Sequence, residues 1–133
     1  NIESLAVLWP LAIFDISLPL ATMEDYLERT GARLAQRLGE LRWVTFGHLG
    51  DSNLHLAIAL GGDDPGLRHA VEEIVYGELA GIGGSVSAEH GIGLEKREFL
   101  HCSRSAAEIK LMKTLKRALD PRNILNPERI FRL

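Results

Sequence analysis

Between Asn53 and Leu60 the sequence NLHLAIAL alternates strictly: Leu54, Leu56, Ile58 and Leu60 fall on one side of an extended chain, Asn53, His55, Ala57 and Ala59 on the other. A period of two with one side fully aliphatic predicts a strand whose leucine face meets helices. His55 therefore belongs to the helix-free face. That single assignment limits the chain to sheet architectures with one covered side, and it places an imidazole where the sheet is open.

The rest of the chain supplies the partners. Residues 12 to 18 set Phe14, Ile16 and Leu18 against Ile13, Asp15 and Ser17, a second strand closed by Pro19. Thr22 and Asp25 resemble a capping box, and Met23, Leu27, Leu34 and Leu38 recur on one helical side, predicting a helix from about 23 to 38 that Gly39 stops. Trp43 to Phe46 forms an antiparallel hairpin with the strand at 53 to 60, through the polar loop Gly47 to Ser52. Pro65, after Asp63 and Asp64, opens a second helix with Leu67, Val71, Ile74, Val75 and Leu79 on its apolar side, ended by Gly81, Gly83 and Gly84. Ser85 to Glu89 reads as a fourth short strand with Val86 and Ala88 inward. A last helix starts at the Ser105/Glu108 capping box and carries Ile109, Met112, Leu115 and Leu119 inward, with Lys110, Lys113, Lys116 and Arg117 on its solvated side, until Pro121. The order β-α-β-β-α-β-α is that of an α/β (α+β) ferredoxin-like sandwich: an antiparallel sheet, helices on one face and a further C-terminal helix.

Composition narrows the function. A chain of 133 residues, 46% hydrophobic, buries one core and reads as one domain over residues 1–133. A formal charge of -3 without a Lys/Arg-rich run offers no field for a phosphate backbone, which argues against nucleic acid. The lone Cys102 forms no internal disulfide, and the sequence contains neither a signal peptide nor a run of about 20 apolar residues, so a reducing, cytoplasmic setting is expected. The start at Asn1, leading directly into LAVLWPLAIFDISLPL, reads as a piece of a longer protein.

Two polar clusters stand out, GHLGDSNLH at 47 to 55 and SAEHGIG at 87 to 93. Strand parity brings Glu89 to the same face as His55, and His48 sits at the turn of the hairpin. Two imidazoles and a carboxylate converging at loop-proximal ends suit a divalent cation such as Zn2+, Mn2+ or Fe2+, with positions left for water or substrate. His90, next to the carboxylate, is then free to act as a base, a task imidazole suits near neutrality. Histidines in a hairpin also serve as hydrogen-bonded structural residues. GIG at 91 to 93 lacks the strand and helix context of a phosphate loop and reads as a turn. Asp51 reads as a turn residue, and His69 and His101 as solvent-facing.

These residues resemble the C-terminal, substrate-side domain of FAD-linked oxidases and dehydrogenases of the vanillyl-alcohol-oxidase type, nearest the branch acting on D-2-hydroxy acids such as D-lactate, glycolate and D-2-hydroxyglutarate. The resemblance runs through FDISLP at 14 to 19, GHLGDSNLH at 47 to 55, GGSVSAEHGIGLEKR at 83 to 97 and LDPRNILNPERIF at 119 to 131. It implies that His48, His55 and Glu89 are the ligands of a divalent metal, with Zn or Mn expected. It further implies that His90 takes the substrate's hydroxyl proton, that Asn53 and His90 contact substrate, and that Asn126 of ILNP lies on the cofactor side; Asn126 also fits a turn before Pro127. The implied chemistry is oxidation of a small D-2-hydroxy acid to a 2-oxo acid with hydride transfer to FAD, and electrons then leave for a separate acceptor, which allows a membrane-peripheral location. The implied partner is an N-terminal flavin domain of the same protein, without which this region is inactive; its open sheet face also allows a homodimer.

Four positions depart from the pattern the resemblance implies. Ile13 stands where D-2-hydroxyglutarate dehydrogenases typically carry a substrate-binding Lys, and Ala57 where they carry Asn, so two polar contacts to a second carboxylate are lost. Ser52 and Glu128 stand at common glycine positions and are expected to adjust turns only. The substrate-binding Arg would fall before Asn1. Two other readings compete: a metal-only catalyst of the non-haem iron type using the same three ligands, against which the LDPRNILNP tail argues, and a non-catalytic ligand-binding or dimerisation module.

Overall fold

The alternation at residues 53 to 60 is realised in the computed structural model, which describes residues 10–133, as the central strand of a three-stranded antiparallel sheet. Asn1 and the start of the apolar stretch at Leu5 lie outside the described residues. The strands are β1 (Leu11–Ser17), β2 (Trp43–Phe46) and β3 (Asn53–Ala59), in the order β1-β3-β2. The helices are α1 (Leu20–Leu38), α2 (Pro65–Gly77) and α3 (Ala106–Leu119), so the fold is α+β as expected.

Register decides what shares a face. Phe14 pairs with Leu56 and Ile16 with Leu54, and these side chains are at most 4% exposed beneath Tyr26 and Leu34 of α1 and Val71 and Val75 of α2. The offset rows, Asp15–His55–Phe46 and Ile13–Ala57–Val44, lie on the opposite, helix-free face.

The two core helices are fastened by one buried hydrogen bond and one ion-pair group. Tyr26 is fully buried, and its hydroxyl donates to the Val75 carbonyl at 2.7 Å, near the C-terminal end of α2 where carbonyls run out of helical donors. Glu78, just past that end, accepts from Arg29 and Arg33 at 2.9 Å each.

Local details correct four expectations. Helix α1 begins at Leu20, with Pro19 at its cap; the Thr22 hydroxyl donates back to the Pro19 carbonyl at 2.8 Å, and Asp25 pairs with Arg29 instead of closing a capping box. Ser85 to Glu89 is not a strand. It contributes one antiparallel bridge, Ser17 to Ser85, with Val86 buried and Ala88 exposed. Beyond Ser85 the backbone donors of Ala88, Glu89 and His90 turn to the side chain of Asp15, which ends the ladder. Helix α3 has the expected Ser105/Glu108 capping box but none of its residues is buried: Leu115 and Leu119 are 52% and 82% exposed, while Ile109 and Met112 are half-buried. Its Lys116, expected to be solvated, instead ties Asp120 and the Leu125 carbonyl together at 2.5 Å each. Among the described residues no helix is long and apolar enough to cross a membrane.

Two stability measurements check this account. Tyr26→Phe leaves the Val75 carbonyl without its donor and is expected to cost about 1–2 kcal/mol in urea unfolding. For Glu78, burial raises the carboxyl but the hydrogen bonds from Arg29 and Arg33 outweigh it, so it sits below the usual glutamate range. A depressed folded value means the contribution is present above about pH 4.3 and lost as pH falls through the folded value. The stability gap between wild type and Glu78→Gln is therefore expected to shrink on acidification below that point.

Candidate metal and proton-transfer site

The β2–β3 hairpin carries two of the site residues. Its loop tightens into a 3-10 turn at Leu49–Asp51, with Asp51 in the turn as expected, and Ser52 adopts a left-handed backbone at φ 57, the conformation glycine takes freely. Gly47 runs so close to β3 that a Cβ there would press on the Asn53 carbonyl and lie 3.1 Å from the Leu54 Cα. This approach sets where His48 emerges. His55, on β3, is 12% exposed and stacks on Phe46, ring centroids 5.0 Å apart.

Glu89 comes from a segment distant in sequence. Its Oε1 lies 3.0 Å from His48 Nδ1 and accepts from Asn53 Nδ2 at 2.6 Å, while its Oε2 lies 4.0 Å from His55 Nε2. One ligand-type atom from each of His48, His55 and Glu89 falls within 4.8 Å of the others. Three N/O donors at this spacing, two of them imidazole, fit a divalent cation with protein-free positions remaining. Among the described residues, two buried oxygens nearby, Asp15 Oδ1 and Asn53 Oδ1, have no hydrogen-bond partner.

The other sequence-derived residues separate into neighbours and outliers. His90 is 63% exposed beside the cluster, its ring 6.3 Å from His55 and its Nδ1 3.6 Å from Asp15 Oδ2. Asn53 is only 2% exposed, with its amide turned toward Glu89, so its place is behind that carboxylate. Asn126 is exposed in the C-terminal tail with φ 47, in a turn that the Arg129 N–H closes onto its carbonyl at 3.4 Å. Glu128, at a common glycine position, is also left-handed at φ 63. His69 and His101 are exposed, as expected, apart from His69's partial cover.

Two site residues escaped the sequence reading. Asp15 is 1% exposed and its Oδ2 accepts from the backbone N–H of Ala88, Glu89 and His90 at 3.2, 2.9 and 2.8 Å. Burial raises its carboxyl, but the His90 and Glu89 amides, with Lys96 and His90, hold it below the usual aspartate range. Lys96, 8% exposed, donates to Ser87 Oγ at 3.0 Å and lies 3.8 Å from Asp15 Oδ2; burial pulls its ammonium below the usual lysine range, partly offset by Asp15. The available signal was an acidic residue on the non-core side of a strand, placed to pair across from His55. Beyond His90 an open hollow of about 380 Å³ is lined by Ile13, His90, Leu94, Lys96 and Arg129 among others.

Comparison with known proteins shows the family. Residues 5–130 match the family described as FAD linked oxidases, C-terminal domain, and the chain belongs to that family. It is 42% identical over 118 residues to the mitochondrial D-2-hydroxyglutarate dehydrogenase of Bos taurus, covering 89% of this chain and 21% of that protein. It is 39% identical over 122 residues to the D-2-hydroxyglutarate dehydrogenase of Stutzerimonas stutzeri (strain A1501), covering 88% and 26%. A Schizosaccharomyces pombe protein named provisionally as a mitochondrial D-lactate dehydrogenase is 40% identical over 122 residues, covering 86% and 23%. The chain thus spans about a fifth to a quarter of the length of these relatives.

The close approach at Gly47 yields a paired test. Gly47→Ala is expected to cost about 1–3 kcal/mol in thermal or urea unfolding through forced displacement of the loop. Gly50→Ala, whose Cβ would meet nothing within 4 Å, is expected to stay within about 0.5 kcal/mol of wild type.

Proposed function

We propose that this chain is the substrate-side domain of an FAD-dependent dehydrogenase that oxidises a D-2-hydroxy acid to the 2-oxo acid, with a divalent metal held by His48, His55 and Glu89. The observation that carries the reading is the convergence of those three donors beside His90 in a member of the FAD-linked oxidase family. The names of the relatives, D-2-hydroxyglutarate and D-lactate dehydrogenases, supply the substrate class. Family membership also disfavours the metal-only and docking-module readings.

When bound, the flavin supplies a hydride acceptor and the cation supplies polarisation of the substrate's oxygens. The chain's own residues do the rest. His90 accepts the hydroxyl proton at Nε2, since its Nδ1 side is turned to Asp15 Oδ2. Asn53 holds Glu89 from behind, and Phe46 fixes the plane of the His55 ring. The FAD itself, and the remaining substrate contacts, belong to a flavin domain elsewhere in the full-length polypeptide, in this proposal.

Substrate choice follows from the row next to the cluster. Ile13 and Val44, 57% and 42% exposed, flank Ala57 two residues along β3 from His55 on the same face, and none of the three offers a donor to a second carboxylate. A substrate with an apolar or short side chain suits this surface better than a dicarboxylate.

The test is dye-coupled turnover by the flavin-loaded, full-length polypeptide on D- and L-2-hydroxy acids. Expected are D-stereospecific activity, preference for monocarboxylic substrates over D-2-hydroxyglutarate and D-malate, loss on chelation with recovery on adding Zn2+ or Mn2+, and a kcat reduced about 10²–10⁴-fold in His90→Gln. Activity indifferent to chelation and to His55→Ala would remove the metal from the mechanism. A strong preference for D-2-hydroxyglutarate would overturn the substrate assignment alone.

A further inference from the structure

Asp15 is the most deeply placed charged group in the molecule's open face, and its two oxygens look in different directions. Oδ2 takes the three backbone donors of Ala88, Glu89 and His90, receives the Ser87 hydroxyl at 3.4 Å and faces the Lys96 ammonium at 3.8 Å. Oδ1 is buried without a hydrogen-bond partner among the described residues and lies 3.9 Å from His55 Nδ1. The opposite nitrogen of that ring, Nε2, lies 4.0 Å from Glu89 Oε2 and 3.4 Å from Asn53 Nδ2.

We infer that Asp15 is a positioning residue of the candidate metal centre, fixing Glu89 and His90 through their backbone amides and setting the orientation and tautomer of His55 through its ring. This rests on the metal reading proposed above. The cross-strand pairing of Asp15 with His55 puts the carboxylate behind the imidazole, on the side away from Glu89. With Nδ1 carrying the proton toward that carboxylate, 3.9 Å away, Nε2 is the nitrogen left to face a cation, the arrangement by which a carboxylate raises the ligand strength of an imidazole. The same carboxylate spans both halves of the centre. It joins β1 to the Glu89 segment, and its strand neighbour across the ladder is the buried ligand. A residue serving only to end the sheet ladder would need Oδ2 alone; a second buried oxygen left unpaired and facing the ligand costs desolvation unless a donor reaches it.

The experiment uses the flavin-loaded, full-length polypeptide and Zn2+ as the probe, its affinity read by competition with a chromophoric chelator. Asp15→Asn keeps the shape and one oxygen for the backbone amides but removes the charge, and is expected to raise the Zn2+ Kd about 10–100-fold. Tyr26→Phe, a destabilising change remote from the centre, is the reference and should leave Kd unchanged. Histidine-selective 15N spectra of the metal-free wild type, which need no variant to fold, should show His55 protonated at Nδ1. An unchanged Kd in Asp15→Asn, a shift no larger than in Tyr26→Phe, or an Nε2–H tautomer of His55 each overturns the inference while leaving the metal centre standing. A wild type that takes up no Zn2+ overturns the metal reading and this inference together.

Discussion

The pairing of β1 with β3 is the constraint from which the rest of the molecule follows. Each side of that ladder alternates, and the alternation is coupled: the residues that cover the core, Phe14 against Leu56 and Ile16 against Leu54, fix which residues look the other way. Asp15 and His55 become neighbours because Phe14 and Leu56 are. The hydrophobic term that drives one face under α1 and α2 thus also assembles an acidic and an imidazole group on the other. The segment carrying Glu89 and His90 is then drawn in by backbone donors that find a buried carboxylate where a fourth strand's carbonyls would otherwise serve.

Much of this was legible in the sequence because period-two patterns are unambiguous when one face is aliphatic. The three strands, the hairpin, the Pro65 helix start and the Ser105/Glu108 box all follow from local chemistry. His48, His55 and Glu89 do meet as expected, but Glu89 reaches the others by a turn held on Asp15 and not by the strand parity that predicts it. What local pattern misses is the competition between equivalent partners. Ser85 to Glu89 has the alternation of a strand, but alternation says nothing about a side chain on another strand capturing its amides. Helix α3 has an amphipathic pattern, yet its leucines stay exposed because a pattern specifies a face and not what that face meets. Parity puts Asp15 on the site side of β1, but a single acidic residue there gives no local sign of which distant amides it captures.

The metal reading and the substrate reading draw on different parts of the same face. The cluster is polar, partly open and built from two chain segments far apart in sequence, whereas the Ile13, Ala57 and Val44 row is apolar and continuous with it along the sheet. The donor cluster and the apolar row are therefore separable in space: a change at Ile13 or Val44 leaves every donor atom of the cluster where it is. The close backbone approach at Gly47 and the left-handed Ser52 work on a third quantity, the exit direction of the exposed His48.

The β1–β3 register has a consequence for how such a sequence can diverge. A single-residue insertion or deletion inside β1 would exchange its two faces, turning Asp15 into the apolar interior and Phe14 out of it, so one event would damage packing and site at once. Length changes in the turn at Gly61–Asp64 or before Ser105 carry no such coupling, because neither alters strand parity. Lineages descended from this chain should accumulate gaps in those turns while β1 and β3 keep constant length, a pattern imposed by geometry whatever molecule the site has come to accept.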